Sequence, residues 1–228
     1  CMTLFGYGKT NRAIAARYPG QCRIYDDAFV EESTDEWGSR LLPSERFAPL
    51  DDFEIVTPGI PPHHPLIQKA RHPISDYDFF ASAFPKCSVW ISGTNGKTTT
   101  TQMIGHLLAK HGAQVGGNIG TPVAELDPKA PLWILETSSF TFHYTHRARP
   151  SLYVLLPISE DHISWHGSFE AYRNAKLKPL QWMREGEAIL LPEALAPTPS
   201  KGYKIPYGGA ADLAEFFGID LGRINFQE

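Results

Sequence analysis

Ser88-Val89-Trp90-Ile91-Ser92-Gly93-Thr94-Asn95-Gly96-Lys97-Thr98-Thr99-Thr100 is the stretch that decides the fold. A short apolar run of strand type passes directly into a glycine-rich turn, and the turn ends in Gly-Lys-Thr at the start of an amphipathic segment. A turn of this kind can wrap phosphates in backbone N–H groups, with Lys97 charging the outer phosphates and the Thr98 hydroxyl available to Mg²⁺. The strict GxxxxGK[ST] spacing is not met, because Ile91 holds the first glycine position and Gly93 lies two residues further on. The competing reading is a glycine-rich turn with a solvated lysine, and the strand–turn–helix context favours the phosphate reading.

Outward from that turn, short apolar runs alternate with amphipathic ones, the signature of parallel α/β structure. Strands are expected at Met2–Phe5, Cys22–Tyr25, Glu54–Thr57, Ser88–Ser92, Leu132–Glu136, Leu152–Pro157, Ala188–Leu191 and Tyr203–Pro206. Several are continuously apolar, as strands covered on both faces are. Helices are expected at Asn11–Tyr18, Pro65–Lys69, Lys97–His111, Phe169–Met183 and Asp212–Phe217. The one at Lys97–His111 should bury a stripe of Ile104, Leu107, Leu108 and His111 and stop at Gly112. Two domains are expected, 1–84 and 85–228. The first is a Rossmann-like parallel-sheet domain, and the second is an α/β domain like that of P-loop ATPases, incomplete at its end.

The bulk composition agrees. The chain has 228 residues, 42% hydrophobic and 20% charged, and 12% aromatics supply ample core material. With 21 basic and 25 acidic side chains the net charge is −4, which argues against a broad nucleic-acid surface. No apolar window has the length of a membrane span, and the first residues lack a secretion signal, so the expected compartment is the cytoplasm. Cys1, Cys22 and Cys87 are scattered without CxxC spacing, which disfavours a disulfide scaffold or a zinc site. A monomer without membrane insertion is expected.

A second glycine turn, Gly6-Tyr7-Gly8-Lys9-Thr10-Asn11, follows the first strand and opens a helix. Asn11 stands where the third glycine of GxGxxG would be, and Asp26 or Asp27 follows the second strand. A dinucleotide, a uridine nucleotide and a bare turn all fit. Glu136 ends an apolar strand, so its carboxylate would emerge at the sheet's carboxyl edge. With Thr98 it would give Mg²⁺ its protein oxygens; otherwise it caps a helix or faces water. His162 also follows an apolar strand. Its i,i+4 spacing to His166 could suggest zinc, which Gly167 and the lack of HExxH weaken. Lys176 continues the stripe Phe169, Tyr172, Leu180, Met183. A charge on that buried face needs a partner, and Pro179 is expected to kink the helix.

Taken together, these residues resemble the Mur ligase family, whose nucleotide loop reads GTNGKT. Gly117-Asn118-Ile119-Gly120-Thr121-Pro122 resembles its GNIG stretch. Glu136-Thr137-Ser138-Ser139-Phe140, the block Glu160-Asp161-His162 with Tyr172–Lys176, and Thr57-Pro58-Gly59-Ile60 resemble segments of its D-glutamate-adding branch. The resemblance implies an ATP-dependent ligase of peptidoglycan precursor synthesis that joins D-glutamate to UDP-N-acetylmuramoyl-L-alanine through an acyl phosphate. It implies ATP on Gly93, Thr94, Asn95, Gly96, Lys97, Thr98 and Thr99. It puts two Mg²⁺ ions on Thr98, Glu136, His162 and Lys176, the lysine carbamylated by CO₂, and catalysis on Lys97, Lys176 and His162. It places the UDP-substrate on Lys9, Thr10, Asp26, Asp27, Thr57, Pro58, Gly59, Asn118, Ser138 and His162. The family's GxHNxxN segment and third domain do not follow Ile224–Glu228, so the chain is expected to be a fragment with little turnover. The alternatives are another Mur or folylpolyglutamate-type ligase and a catalytically silent nucleotide-binding fragment.

Overall fold

In the computed structural model, residues 1–208 are described. The first sheet comprises β1 (Met2–Phe5), β2 (Cys22–Asp26), β3 (Ser33–Thr34), β4 (Arg40–Pro43), β5 (Glu54–Val56) and β6 (Pro73–Ile74). Its order is β3-β4-β2-β1-β5-β6, parallel throughout except for the antiparallel β3. Helices α1 (Lys9–Arg17), α2 (Pro65–Lys69) and α3 (Asp76–Phe79) accompany it. The second sheet comprises β7 (Cys87–Ser92), β8 (Ala113–Gly117), β9 (Leu132–Glu136), β10 (Leu152–Leu155), β11 (Ala188–Pro192) and β12 (Tyr203–Tyr207). It is wholly parallel, in the order β12-β11-β10-β7-β9-β8. With it go α4 (Lys97–Leu108), α5 (Ser139–Tyr144), α6 (Ile163–His166) and α7 (Phe169–Trp182). After β7 the chain builds β8 and β9 on one side, then crosses to β10 on the other. The carboxyl end of β7 is therefore a topological switch point, where open α/β sheets bind ligands.

One apolar core runs through both sheets. It joins Leu4, Ile14, Ile24 and Ile55 to Trp90, Trp133, Tyr153 and Leu180. Tyr77 of α3 meets Trp90 edge-on at 5.0 Å, and Phe84 packs on Trp133 at 5.0 Å. The expected strands are present to within two residues at their ends. Four were not anticipated: β3, β4, β6 and β8. The first three are short and lie toward the sheet's edges. Ala113-Gln114-Val115-Gly116-Gly117 has little β-propensity, and its glycines are demanded by neighbours instead. A Cβ on Gly116 would sit 2.3 Å from the Thr121 carbonyl oxygen.

Three helices, α3, α5 and α6, were also unanticipated, each only four to six residues long. α4 ends at Leu108 and continues as a 3₁₀ turn to His111, with Gly112 at φ 80° as the stop. The expected buried stripe needs correction. Ile104 and Leu108 pack on β7–β10, whereas Leu107 is 65% exposed and His111 faces solvent. The buried face carries Thr101 and Gly105 instead. α7 passes through Pro179 to Trp182, and the Tyr153 hydroxyl donates to the Lys176 carbonyl (2.6 Å). The expected helix Asp212–Phe217 lies outside the described residues. Among these, no helix is long and apolar enough to cross a membrane.

Gly105 lets α4 lie against β8, since a Cβ there would come within 2.3 Å of a Val115 methyl. Gly105→Ala should therefore destabilise the chain by about 1–3 kcal/mol through overpacking, despite alanine's better helix propensity. Adding Val115→Ala should recover part of the loss. Urea midpoints of the three proteins check this, and a stabilised single variant would contradict the packing argument.

Candidate functional site

Three central strands deliver the site. β7 ends at Ser92 and turns through Gly93, whose φ is 145°. A Cβ at Gly93 would lie 2.4 Å from Leu156 Cβ, so only glycine lets the turn close against the chain leaving β10. Gly96, at φ 84°, is the N-cap of α4. Thr94 pins the turn from the other side. Its amide donates to the Pro157 carbonyl (3.1 Å), and its hydroxyl accepts from the Ser159 amide (2.9 Å) and meets the Tyr172 hydroxyl (3.0 Å). Asn95 and Thr99 are exposed on the turn and the first turn of α4.

Lys97 reaches back over this turn and donates to the carbonyls of Gly93 (2.9 Å) and Thr94 (3.1 Å). Lys176, almost fully buried on α7, donates to the same Gly93 carbonyl (2.8 Å) and to Ser92 Oγ (3.2 Å). Its Nζ also lies 5.0 Å above the Tyr172 ring. Burial, and then the Lys97 charge, push the Lys176 amine down to about 7, against the opposing pull of Asp161 and Glu136. The partner that a buried lysine needs is thus a carbonyl, a hydroxyl and an aromatic face, with no direct carboxylate.

Glu136 closes β9 beside this group. Thr98 Oγ1 donates to its Oε1 (3.1 Å), while Oε2 is buried with no hydrogen-bond partner. Burial holds the carboxyl above the usual range, and the Thr98 hydrogen bond, Lys97 and Lys176 pull it back. A buried acceptor without a donor is costly. A hard cation bound to Thr98 and Glu136 would satisfy it, and the hydroxyl-plus-carboxylate donor set suits Mg²⁺. Lys176 as an amine is not an oxygen ligand; only a carbamate would make it one.

His162 is the one non-glycine residue with positive φ (49°) among the described residues. It precedes α6, its ring meeting Phe140 at 4.8 Å and its Nε2 3.4 Å from Asp161 Oδ2. His166 does not join it as a ligand pair. The His166 Nε2 bonds Ser139 Oγ (2.9 Å), and burial pushes its imidazole down to about 4.

The residues expected to hold a uridine nucleotide fall around the β1 turn. Asp26 accepts from the amides of Tyr7 (2.7 Å) and Ala28 (2.8 Å). Asp27 accepts from His64 Nε2 (2.7 Å), since His64 Nδ1 is taken by the Leu66 amide; this bond lowers the Asp27 pKa. Thr10 lies within α1, one residue beyond Lys9. Lys9 donates to the Gly120 carbonyl, joining this turn to the Gly117–Thr121 segment where Asn118 stands exposed. The Asn118 amide donates to the Glu136 carbonyl (2.7 Å), which brings that segment to the end of β9. Ser138 is committed locally: its Oγ caps α5 by accepting from the Thr141 amide (3.1 Å).

Asn11 stands in the sequence reading only as a gap in the glycine motif, and the aromatic residues Trp165, Tyr144 and Phe140 are given no site role there. Asn11 is fully buried and donates to the carbonyls of Phe5 (2.8 Å) and Gly6 (2.9 Å), so it ties the first turn shut. The Thr57–Ile60 turn is held from the second sheet by two donors. The Trp165 indole donates to the Gly59 carbonyl (3.0 Å), and the Tyr144 hydroxyl donates to the Ile60 carbonyl. Phe140 stacks on Trp165 at 4.5 Å. Trp165, a large aromatic in a polar stretch beside His162, was the available signal.

Fold and site together define an α/β protein of the P-loop type, with a second parallel sheet carrying its own glycine turn. Residues 91–196 match the Mur ligase middle domain. It is 57% identical over 230 residues to the UDP-N-acetylmuramoylalanine--D-glutamate ligase of Campylobacter jejuni, covering 99% of this chain. The corresponding Helicobacter pylori enzyme is 41% identical over 239 residues. The chain spans 57% of the length of both relatives. The fold is shared with the solved UDP-N-acetylmuramate:L-alanyl-gamma-D-glutamyl-meso-diaminopimelate ligase of Neisseria meningitides. That match has a TM-score of 0.56 at 16% identity, over 91% of this chain and 78% of that one.

The Lys176 amine yields a pH prediction. An ordinary lysine titrates near 10.5 and this one near 7, so between those values the unfolded chain holds a proton that the folded chain lacks. Stability should therefore rise with pH across that window and fall as pH drops toward 7. Lys178, pushed down to about 8 by burial, adds the same sign over a narrower range. Lys176→Met should flatten the rise in urea midpoint between pH 7 and 9. An unchanged slope would mean that the amine is not desolvated.

Proposed function

We propose that the protein to which this chain belongs is an ATP-dependent ligase that joins UDP-N-acetylmuramoyl-L-alanine to D-glutamate in cytoplasmic peptidoglycan precursor synthesis. The observation that carries the reading is the buried, unpartnered Glu136 Oε2 beside Thr98 and two lysines at the end of β7. The names of the Campylobacter and Helicobacter relatives support the substrate pair.

In this reading residues 1–84 hold the uridine nucleotide and 85–228 hold ATP. The Gly93–Thr99 turn wraps the phosphates, and Lys97 leaves its loop carbonyls to charge the outer ones. A substrate carboxylate oxygen attacks the γ-phosphorus, the bond to the β-phosphate oxygen breaks, and ADP leaves. The amine of D-glutamate then attacks the acyl carbon, phosphate leaves and the nitrogen loses a proton. Mg²⁺ on Thr98 and Glu136 would neutralise charge on the transferring group. A second ion would draw on His162 and a carbamylated Lys176. An amine near 7 is substantially unprotonated at neutral pH, as attack on CO₂ requires.

Lys9, Thr10, Asp26, Asp27 and Thr57–Gly59 face the uridine end of the substrate. Asn118, Ser138 and His162 lie toward its reacting end. The Lys9 contact to Gly120 and the Trp165 contact to Gly59 would hold these two groups in register. Asn11 explains why the first turn should disfavour a dinucleotide, since its carboxamide fills the place of the third glycine.

Removing Lys97 tests the assignment. Lys97→Ala should weaken ATP–Mg²⁺ binding about tenfold or more, the loss of a charge-assisted hydrogen bond. Affinity for UDP-N-acetylmuramoyl-L-alanine should be unchanged and should exceed that for NAD. Calorimetry with the three ligands measures this. Parallel loss of both affinities would mean misfolding, and NAD binding as tight as the uridine substrate would overturn the assignment of the first turn.

A further inference from the structure

The site above occupies the carboxyl edge of the second sheet. Its amino edge carries a separate groove of about 710 Å³. Lys86 stands ahead of β7, Arg147 and Arg149 between α5 and β10, Trp182 and Arg184 at the end of α7, and Glu187 ahead of β11. A five-residue parallel strand spans roughly 17 Å, so the groove and the glycine turn are separated by the thickness of the sheet.

Four permanent cations face one carboxylate here, in a chain whose net charge is −4. Glu187 is already engaged: it accepts from the Arg184 amide (2.6 Å) and from Arg149 Nε (3.2 Å). The side chains of Lys86, Arg147 and Arg184 form no ion pair among the described residues. The arginines are also fixed from beneath. Asp78, buried on α3, accepts from the amides of His146 (2.6 Å), Arg147 (2.9 Å) and Ala148 (2.8 Å). That three-fold grip sets the backbone from which Arg147 and Arg149 project into one groove.

We propose that this groove is a second anion site, distinct from the glycine turn, and that it takes a compact polyphosphate, either free diphosphate or the diphosphate of a nucleotide. Its volume is that of a small-molecule pocket. Planar guanidinium forks match phosphate oxygens, and an excess of three positive charges calls for a multivalent anion rather than a single carboxylate. The Trp182 indole, with Lys178 5.2 Å from its ring centroid, supplies the apolar wall.

The test is a calorimetric titration of inorganic diphosphate into the Lys97→Ala chain, which removes the main cation of the glycine turn. One saturable site is expected. Adding Arg147→Ala and Arg184→Ala should weaken it at least tenfold, whereas Arg147→Lys alone should cost less. The Trp182 indole N–H resonance, assigned with Trp182→Phe, should shift during the titration and so localises the anion independently of affinity. A parallel titration with GDP separates the sources: tighter binding assigns the wall to a base, and equal binding assigns the site to diphosphate alone. Absence of saturable binding, or binding that ignores the arginine pair and leaves the indole unmoved, overturns the proposal. The arginine substitutions in an otherwise unaltered chain should leave ATP–Mg²⁺ affinity intact, so failure of the groove and failure of the ligase reading give different results.

Discussion

Two lysine side chains converge on the carbonyl oxygen of Gly93, Lys97 at 2.9 Å and Lys176 at 2.8 Å. Two ammonium groups on one acceptor repel each other, and the repulsion is largest where water is excluded. Part of the answer is proton loss, since Lys176 is pushed down to about 7. Part is Glu136, whose carboxyl is raised by burial and lowered by the same two lysines. With Lys176 partly deprotonated at neutral pH, the charge at the turn rests mainly on Lys97, whose ammonium would draw an anion such as phosphate to it. The geometry depends on Gly93 having no side chain. Any Cβ there would push the turn off Leu156 and separate β7 from the chain that follows β10.

That turn was legible in the sequence because everything that makes it is local. Strand, glycines, lysine and helix start are consecutive, and backbone preferences alone order them. The strands covered on both faces were legible for a similar reason, since continuous apolar runs have few other uses. What escaped was determined elsewhere in the chain. β8 is a strand because Gly116 and Gly117 lie against the Thr121 and Glu136 carbonyls and Val115 packs into the space left by Gly105 of α4, which propensity cannot reveal. Leu107 matched the helical period yet stands exposed, because the stripe that packs is centred on Thr101 and Gly105. Asn11 read as a defect in a glycine motif, and it is instead a buried clasp on the Phe5 and Gly6 carbonyls.

The contacts between the two sheets were equally invisible, and they determine what the two turns can do together. Lys9 holds Gly120, Arg17 holds the Ala124 carbonyl at 2.9 Å, Trp165 holds Gly59 and Tyr144 holds Ile60. All four end on main-chain carbonyls. A carbonyl acceptor is indifferent to the identity of its residue, so such contacts leave no covarying side-chain pair to read. They also make the alignment of the two turns a property of the backbone. A ligand that spans both would meet surfaces already in register and would lose less entropy on binding.

Buried carboxylates divide the labour between the two edges of the second sheet. Glu136 at the carboxyl edge keeps one oxygen without a donor, so that edge retains unsatisfied electrostatic capacity. Asp78 serves the amino edge in the opposite way. Three amides saturate it, and it functions as a fastener for the segment that bears Arg147 and Arg149. Glu54 does the same in the first sheet, accepting from the amides of Arg71 (3.1 Å) and His72 (3.0 Å). A saturated carboxylate is a structural part, because its charge is compensated by dipoles fixed in the fold. An unsaturated one in the same sheet must be compensated by something that arrives. Among Glu136, Asp78 and Glu54 the difference therefore lies in hydrogen-bond count rather than in residue type or depth, and it is Glu136 on which the proposed site is centred.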